Sequence, residues 1–218
     1  MMSMGSFSIS DKTLDELRQS LRKRMSARRY EHTLGVEEMA EMISDLYCPE
    51  KTPMLRAAAL LHDVTKELSQ EEQMAIFERY GIEADACFID SPPLMHAETA
   101  ALIIPTEFAQ LASEELINAV RYHTTGRAGM SLSEKIIYLS DYIENTRTYD
   151  DCVWLRESFW RADISNMSDA ERLVHLDKVL VESFDMTVAD LVRRGKKVCH
   201  NTESAREYLI QQIKQSEK

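Results

Sequence analysis

The sequence feature that most constrains the fold is a helical repeat of apolar residues that recurs along most of the chain. The repeat is clearest in the Ala- and Leu-rich stretch 55–66, in which Leu55, Ala58, Ala59 and His62 share one helix face. Alternating apolar and polar residues, which would indicate strands, do not occur over any comparable length. The content of six glycines and five prolines is also low for a turn-rich β fold. We therefore predict an all-α fold, a helical bundle of roughly ten helices.

Capping residues and chain breakers divide this repeat into separate helices. Ser69 together with Glu72 resembles a capping box, and Pro49 and Pro53 separate the second helix from the third. The predicted helices cover approximately residues 11–27, 28–48, 55–66, 70–80, 94–110, 114–123, 132–143, 150–164, 169–194 and 202–216.

The length of 218 residues suits one domain with appended elements. We expect residues 1–27 to form an N-terminal leader and helix. Residues 28–148 should form the functional core, because every candidate site residue lies there. Residues 149–218 should form C-terminal helices that pack on the same domain.

The net charge of −11 argues against binding of a nucleic-acid polymer or an anionic membrane, since a phosphate backbone requires a basic footprint. A small phosphorylated ligand needs only a local cationic pocket and is compatible with this charge. No stretch approaches the ~18 apolar residues that a membrane span requires, and no signal peptide is recognisable at the N-terminus. The four cysteines form no C-x-x-C pair, which is typical of reduced cytosolic thiols. We therefore expect a cytoplasmic protein with reduced cysteines at Cys48, Cys87, Cys152 and Cys199.

Four of the six histidines fall on apolar stripes of separate predicted helices and should face the core. Two carboxylates, Asp63 and Asp141, lie at or near the ends of these helices. A single buried histidine is more often structural than functional, but a small core has little reason to bury four imidazoles and two carboxylates together. One metal ion would satisfy imidazole nitrogens and carboxylates at once. The four histidines are His32, His62, His96 and His123.

Mixed histidine and carboxylate ligands suit iron, manganese or zinc. A metal ion with an open coordination position lowers the pKa of bound water toward neutrality and so supplies hydroxide as a nucleophile. Basic residues near these ligands could clamp a phosphate, although each could also be a solvated surface charge. Lys66 and Arg147 are favoured because they closely follow Asp63 and Asp141. The other candidates are Arg28, Arg29, Arg121, Arg127 and Lys135.

The order His32…His62-Asp63…Asp141 resembles the H…HD…D signature of the HD-domain metal-dependent phosphohydrolases. Longer stretches resemble more closely the YqeK family, the symmetrical bis(5'-nucleosyl)-tetraphosphatases, which cut diadenosine tetraphosphate into two ADP. The matching stretches are 29–35 (RYEHTLG), 61–66 (LHDVTK), 123–130 (HTTGRAGM) and 133–144 (SEKIIYLSDYIE), together with His96 and Arg147. The chain departs from this family at 199–201, where Cys-His-Asn stands in place of a more usual His-Pro.

The resemblance implies an HD-type helical bundle with an iron site of one or two ions, for which manganese or zinc would be alternatives. The implied metal ligands are His32, His62, Asp63 and Asp141. The implied nucleotide contacts are Arg29, His96, His123, Thr124 and Arg147. Spacing leaves open whether His96 and His123 hold a second metal ion or only phosphate. The implied partner is a small molecule, a dinucleoside polyphosphate or ADP, and we also expect a homodimer.

In the expected mechanism, Asp63 bridges the metal ions. Lys66 and the two implied arginines spread the charge that develops on the transferred phosphoryl group. His123 or His96 protonates the departing ADP. The same ligands would also serve a deoxynucleotide phosphatase, a cyclic-nucleotide phosphodiesterase or an iron oxygenase of this fold. A non-catalytic nucleotide sensor is a further alternative, although a pure binder would not need an open metal site.

Overall fold

The computed structural model describes residues 9–216, and over this range the chain is helical and contains no strand. This confirms the predicted all-α class with roughly ten helices. The predicted leader lies mostly outside the described residues. The eleven helices are α1 (Asp11–Leu21), α2 (Ala27–Tyr47), α3 (Thr52–Leu61), α4 (Gln70–Arg79), α5 (Ala86–Asp90), α6 (Met95–Glu107), α7 (Glu114–Arg121), α8 (Leu132–Ile143), α9 (Asp150–Arg161), α10 (Asp169–Arg193) and α11 (His200–Ser216).

Serine side chains define most of the helix starts. The predicted capping box is present at α4, where Ser69 accepts the Glu72 N–H while the Glu72 carboxylate accepts the Ser69 N–H. The same pair of hydrogen bonds opens α10, between Ser168 and Glu171. Other helices begin with a serine that caps a backbone N–H, namely Ser10, Ser26, Ser113 and Ser131.

The predicted helix over 55–66 is shorter than expected, because α3 ends at Leu61. Beyond it the backbone forms tight turns, with hydrogen bonds from Val64 N–H to Leu61 O and from Lys66 N–H to Asp63 O. His62 and Asp63 therefore lie in the turns that follow the helix, so the expectation that Asp63 continues the helix was wrong. These hydrogen bonds join residues three apart, whereas an α-helix joins residues four apart. The tighter spacing is the physical reason why the α-helix does not continue through Asp63.

Helix α3 lies at the centre of the bundle and is packed by α1, α2, α7 and α8. Residues 57–61 are fully buried, which explains why this helix is apolar on all sides. The small side chains of Ala57–Ala59 leave room for neighbouring helices. Leu60 and Leu61 fill the core, and burying each contributes about 1.5–3 kcal/mol. The ligand-bearing turn after α3 thus starts from a rigid helix end.

The C-terminal helices also border the functional region. Helix α10 packs on α8, α9 and α11. Phe184 of α10 is fully buried, and its ring lies 4.7 Å from that of Tyr138 on α8. Gly126 sits above Phe184 with φ +62°, and a Cβ at this position would overlap the phenyl ring. A glycine is therefore required in the loop that follows His123.

The expectation of four reduced cysteines was wrong for two of them, because Cys87 and Cys199 form a disulfide. Their 112-residue separation gives no local sign of pairing, but the fold places α5 beside the start of α11, with the two Cα atoms 5.3 Å apart. Cys48 and Cys152 are free and buried. Across the described residues, no helix combines the length and apolarity needed to cross a membrane.

Candidate metal and phosphate site

The four predicted metal ligands come together where α2, α3 and α8 meet. His32 lies on α2, Asp141 on α8, and His62 and Asp63 directly after α3. The Nε2 atom of His32 is 3.0 Å from Asp141 Oδ1 and 3.6 Å from Asp63 Oδ2. The Nε2 atom of His62 is 3.3 Å from Asp63 Oδ2 and 3.8 Å from Asp141 Oδ1. Two imidazoles and two carboxylates therefore share one small volume.

The imidazoles of His32 and His62 are both held in orientation by a hydrogen bond from Nδ1. His62 donates from Nδ1 to the carbonyl oxygen of Ala59 at 2.6 Å. His32 donates from Nδ1 to Glu144 Oε1 at 3.1 Å. Carbonyl and carboxylate partners of this kind fix the tautomer of metal-binding histidines and leave Nε2 free to coordinate.

The chemistry of this cluster fits a metal ion. The Nε2 atoms of His32 and His62 are buried, and neither makes a hydrogen bond to any residue within 9–216. A buried polar atom without a partner costs about 1–3 kcal/mol, and coordination would remove that penalty. Histidine with carboxylate is a ligand set suited to iron, manganese or zinc. Within this cluster, two groups have their ligand atoms within 4.8 Å of one another, namely His32, His62 and Asp141, and His62, Asp63 and His123.

Glu144 is a site residue to which the sequence analysis assigned no role. Its side chain is fully buried and accepts hydrogen bonds from His32, from the Thr146 N–H at 2.6 Å and from the Thr146 hydroxyl at 2.7 Å. Burial disfavours the charged form of His32, yet the nearby carboxylates of Asp141 and Glu144 raise its pKa to about 9. The available sequence signal was the position of Glu144, three residues after Asp141 and therefore on a neighbouring face of the same helix end.

Replacing Gly35 with alanine is expected to weaken metal binding and turnover without weakening the fold. A Cβ at this position would overlap the Glu144 carboxylate, which must shift and release His32 from its fixed orientation. Loss of such a supporting contact typically lowers metal affinity or activity by about 10- to 100-fold. Alanine is the better helix former by about 0.8–1.0 kcal/mol, which offsets much of the cost of moving the buried carboxylate, so the metal-free protein should stay folded with only a small change in melting temperature. Metal content, kcat and melting temperature should be measured together, and a variant with normal metal content and kcat would contradict this assignment.

His96 and His123 lie on the other side of Asp63. The Nε2 atom of His96 is 3.1 Å from Asp63 Oδ1 and 3.1 Å from His123 Nε2. His96 donates from Nδ1 to the carbonyl oxygen of Pro93, and His123 donates from Nδ1 to that of Val120, both at 2.7 Å. Burial lowers the pKa of both histidines. Asp63 thus directs Oδ2 toward one pair of histidines and Oδ1 toward the other.

Two arginines neutralise the carboxylates of the cluster. Arg29 donates to Asp63 Oδ2 at 2.5 Å, and Arg147 donates to Asp141 Oδ1 at 2.5 Å and to the Asp141 carbonyl at 2.8 Å. Burial alone would raise the pKa of Asp63, but the nearby imidazoles of His62 and His96 hold it well below its usual value. Burial opposes ionisation of Asp141 too, and Arg147 is the main cause of its lowered pKa. Both carboxylates are therefore ionised and able to coordinate at neutral pH.

Lys66 also borders the cluster, with Nζ 3.2 Å from His96 Nδ1 and 3.4 Å from the Pro93 carbonyl. Its half-buried position lowers its pKa. The structure therefore places Lys66, Arg29 and Arg147 around the histidine and aspartate cluster.

Three other basic residues do not join the site, which corrects the wider phosphate-clamp hypothesis. Each is engaged by a carboxylate of the surrounding helices and so has its charge neutralised locally. The pairs are Arg121 with Glu98 at 3.0 Å, Arg127 with Glu134 at 2.7 Å and Lys135 with Asp177 at 2.5 Å. Arg28 is exposed and lines a cavity next to Arg29.

One cavity reaches the cluster at His32, and a second lies beside the cluster, next to the residue that follows His123. One, of about 430 Å³, is bordered by Arg29, His32 and Arg147 and continues to the exposed ring of Tyr149. The other, of about 360 Å³, is bordered by Thr124, whose Oγ1 is buried and makes no hydrogen bond within the described part of the chain. Its remaining walls are formed by 90–94 and by Thr187, Leu191, Arg194, Lys196, Lys197, Cys199 and Thr202.

Comparison with known proteins identifies the family to which the chain belongs. The family model described as HD domain matches residues 29–146, which is more than half of the chain. The chain therefore belongs to the HD domain family, and this membership implies a divalent metal ion. A crystal structure from Clostridium acetobutylicum, described as an HD superfamily hydrolase involved in NAD metabolism, has a TM-score of 0.77 and 32% identity, covering 91% of this chain and 97% of that one.

The relatives with the most specific names share one activity. A Bacillus subtilis protein is 28% identical over 84% of this chain and 89% of its own length. A protein from Halalkalibacterium halodurans is 34% identical over 60% of this chain and 68% of its own length. A Staphylococcus aureus protein is 27% identical over 87% of this chain and 90% of its own. All three are named bis(5'-nucleosyl)-tetraphosphatase, symmetrical, which confirms the resemblance seen in the sequence motifs.

Proposed function

We propose that this chain is a metal-dependent phosphohydrolase that cuts diadenosine tetraphosphate symmetrically into two ADP. The observation that carries the proposal is the buried cluster of His32, His62, Asp63 and Asp141, with two unpartnered imidazole nitrogens and two ionised carboxylates. The basic residues around the cluster support a phosphorylated substrate. The shared name of the three relatives supports the dinucleoside tetraphosphate and the symmetrical cut.

We propose that His32, His62, Asp63 and Asp141 hold one or two iron ions, with manganese or zinc as alternatives. The bound metal supplies a Lewis acid and a water molecule of lowered pKa. The two Asp63 oxygens face different pairs of histidines, so Asp63 would be available as a ligand whether one ion or two were bound.

Arg29, Arg147 and Lys66 are the proposed phosphate-binding groups. Arg29 and Arg147 border the same cavity, and their side chains remain 28% and 29% exposed while each contacts a carboxylate of the cluster. Planar guanidinium groups match phosphate oxygens well, so these residues can hold an inner phosphate against the cluster. Lys66 can spread the developing charge from the side of His96.

His123 is the proposed general acid, with His96 as its partner. Both Nδ1 atoms face carbonyl oxygens, so a hydrogen bond between the two Nε2 atoms requires an additional proton on the pair. Burial lowers the pKa of both rings and opposes this proton, whereas the Asp63 carboxylate, with Oδ1 3.1 Å from His96 Nε2, favours it. A proton held at Nε2 supports transfer to the departing ADP.

A symmetrical cut requires room for an ADP-sized group on each side of the cluster. The cavity bordered by Thr124 offers an unpartnered hydroxyl and a basic wall at Lys196 and Lys197. The cavity on the His32 side offers Arg28 and the exposed aromatic ring of Tyr149. We assign one nucleotide half to each cavity.

We further propose that residues 28–148 form the hydrolase core, that 1–27 precede it, and that 149–218 pack on it as part of one domain. Contacts of α9 and α10 with α8 support the packing of the C-terminal helices on that core. The proposed partner is a dinucleoside polyphosphate or ADP rather than a polymer, and the proposed assembly is a homodimer. The cytoplasm is the proposed location, because nucleotides are made and used there.

Product analysis tests the proposed activity. The purified protein should be analysed for metals and then incubated with diadenosine tetraphosphate, cyclic nucleotides, deoxynucleoside triphosphates and NAD. ADP is expected as the sole product from the tetraphosphate, and it should disappear after metal removal and return when iron is added back. AMP with ATP, or turnover of another substrate only, would assign a different phosphohydrolase activity. Nucleotide binding without turnover of any metal-loaded form would indicate a sensor.

A further inference from the structure

A second cluster of reactive side chains lies outside the metal site, around the disulfide between Cys87 and Cys199. Cys87 is half-buried on α5, whereas Cys199 is buried immediately before α11. The exposed His200 places Nδ1 3.2 Å from Cys87 Sγ. A neighbouring imidazole favours the thiolate form, which is the nucleophile in thiol–disulfide exchange.

The disulfide joins two walls of the Thr124 cavity. One wall, residues 90–94, begins at the end of α5, and the other contains Lys197 and Cys199. An ion pair from Lys197 to Asp90 at 2.9 Å also links these walls, but both side chains are exposed. Such a pair contributes only about 0–1 kcal/mol. Helix α5 has no buried residue and packs mainly on the turn that follows it, although its Phe88 ring also lies 5.8 Å from Phe77 of α4. These contacts do not link α5 to α11, so the disulfide is its main tether to the start of that helix.

The tethered wall touches the metal and phosphate site through its backbone. The carbonyl oxygen of Pro93 accepts hydrogen bonds from His96 Nδ1 and from Lys66 Nζ. The metal ligands lie on α2, after α3 and on α8, and none of these segments is bound by the disulfide. A change at the disulfide would therefore alter the cavity wall before it altered the metal cluster.

We propose that Cys87 and Cys199 form a reversible thiol–disulfide modification site whose oxidation state sets the nucleotide affinity of the Thr124 cavity. The site reacts with a low-molecular-weight disulfide. The identity of the nucleotide rests on the proposed function, but the redox reaction does not. In the reducing compartment proposed above, a protein disulfide is usually transient or regulatory rather than a permanent staple.

The reaction consists of two exchange steps. The accessible Cys87 thiolate attacks the small disulfide, which forms a mixed disulfide and releases one small thiolate. The Cys199 thiolate then attacks the Cys87 sulfur, which forms the protein disulfide and releases the second small thiolate. The two cysteines lose two electrons and two protons, and the small disulfide becomes two thiols. His200 promotes the first step as the group that takes the Cys87 proton.

The disulfide form should bind nucleotide more tightly, because its cavity walls are held in place before the ligand arrives. In the dithiol form, ligand binding must also order α5 and residues 90–94. Coupling between two sites is reciprocal, so ADP should protect the disulfide from reduction by the same factor by which the disulfide raises ADP affinity. This second effect can be measured without any turnover.

The test compares full-length protein treated with a dithiol reductant or with glutathione disulfide. Alkylation of free thiols followed by peptide mass spectrometry should show that Cys87 and Cys199 are the residues that change state. We expect KM for diadenosine tetraphosphate and Kd for ADP to rise at least about fivefold on reduction, the lower end of typical coupling. The value of kcat should be unchanged. Cys87→Ser and Cys199→Ser should resemble the reduced protein in both treatments, Cys48→Ser should respond like the wild type, and His200→Gln should oxidise more slowly.

Each other outcome overturns the inference in a defined way. If Cys87 and Cys199 stay alkylatable after oxidation, the modification site does not exist. If the disulfide forms but KM and Kd do not change, it is a structural staple only. If the reduced protein binds one more zinc ion than Cys199→Ser, the cluster is a metal site formed with His200. If neither redox form turns over the tetraphosphate, the proposed function fails, and the redox dependence of the ADP Kd alone decides this inference.

Discussion

Replacing Asp63 with asparagine is expected to remove the bound metal and to lower kcat by about 10³-fold or more, since a metal ion supplies several kcal/mol of transition-state stabilisation. The asparagine keeps the side-chain volume but removes the charge that faces both pairs of histidines. His62→Ala should have a similar effect, because it removes an imidazole whose Nε2 has no hydrogen-bond partner within 9–216. Neither change should unfold the bundle, since the core around α3 is untouched.

Metal analysis, kcat and thermal unfolding of the metal-free proteins should be compared for this prediction. Asp177→Asn is the matched control, because Asp177 is also a buried carboxylate in an ion pair. Its partner is Lys135, at 2.5 Å, and the pair lies outside the metal cluster. The control should lose stability by breaking a buried ion pair, yet keep its metal and its kcat. An Asp63→Asn variant with full metal content and activity would remove Asp63 from the proposed ligand set.

Replacing Arg147 with alanine is the change with the second-largest expected effect, a loss of about 10²- to 10³-fold in kcat, as for removal of one preorganised donor to developing charge. Arg147 holds Asp141 through two hydrogen bonds and borders the cavity on the His32 side. Arg147→Lys should recover only part of the loss, because lysine keeps the charge but not the planar two-point contact. Metal binding should weaken far less than in Asp63→Asn.

The control for this experiment is Arg56→Ala. Arg56 is also ion-paired, with Glu37 and Glu41, but it lies on α3 away from the cavity. Its replacement should leave kcat unchanged. The decisive comparison is kcat at saturating substrate and equal metal content, because a purely structural role of Arg147 would lower metal occupancy and stability without lowering kcat per bound metal. That result would take Arg147 out of the proposed phosphate-binding groups.

The site shows which parts of a metal centre are readable from sequence. His32 and His62 continue apolar helix stripes, so their inward direction follows from local periodicity. The role of Glu144 was not readable in this way, because it depends on the approach of α2 to the end of α8 across 112 residues. Gly35 shows the same limit. Its place in a helix is predictable, but the need for a missing Cβ arises only where Glu144 passes close by.

The basic residues give a second contrast. The sequence offered seven candidates for a phosphate clamp, and spacing alone favoured Lys66 and Arg147. The structure places Lys66, Arg29 and Arg147 at the cluster, whereas Arg121, Arg127 and Lys135 each pair with a carboxylate of a neighbouring helix. An ion pair forms only where tertiary packing brings opposite charges together, so residue type alone could not sort these candidates.

The all-α class, most helix starts and the inward-facing histidines were predictable from the amino-acid sequence. These properties depend on contacts within one or two helical turns, such as the Ser69 capping box. Only the tertiary structure decided that α3 ends before His62, that Glu144 supports His32 and that Cys87 meets Cys199. Each of these follows from packing between segments far apart in the chain, where the burial of apolar surface, rather than local preference, sets which side chains meet.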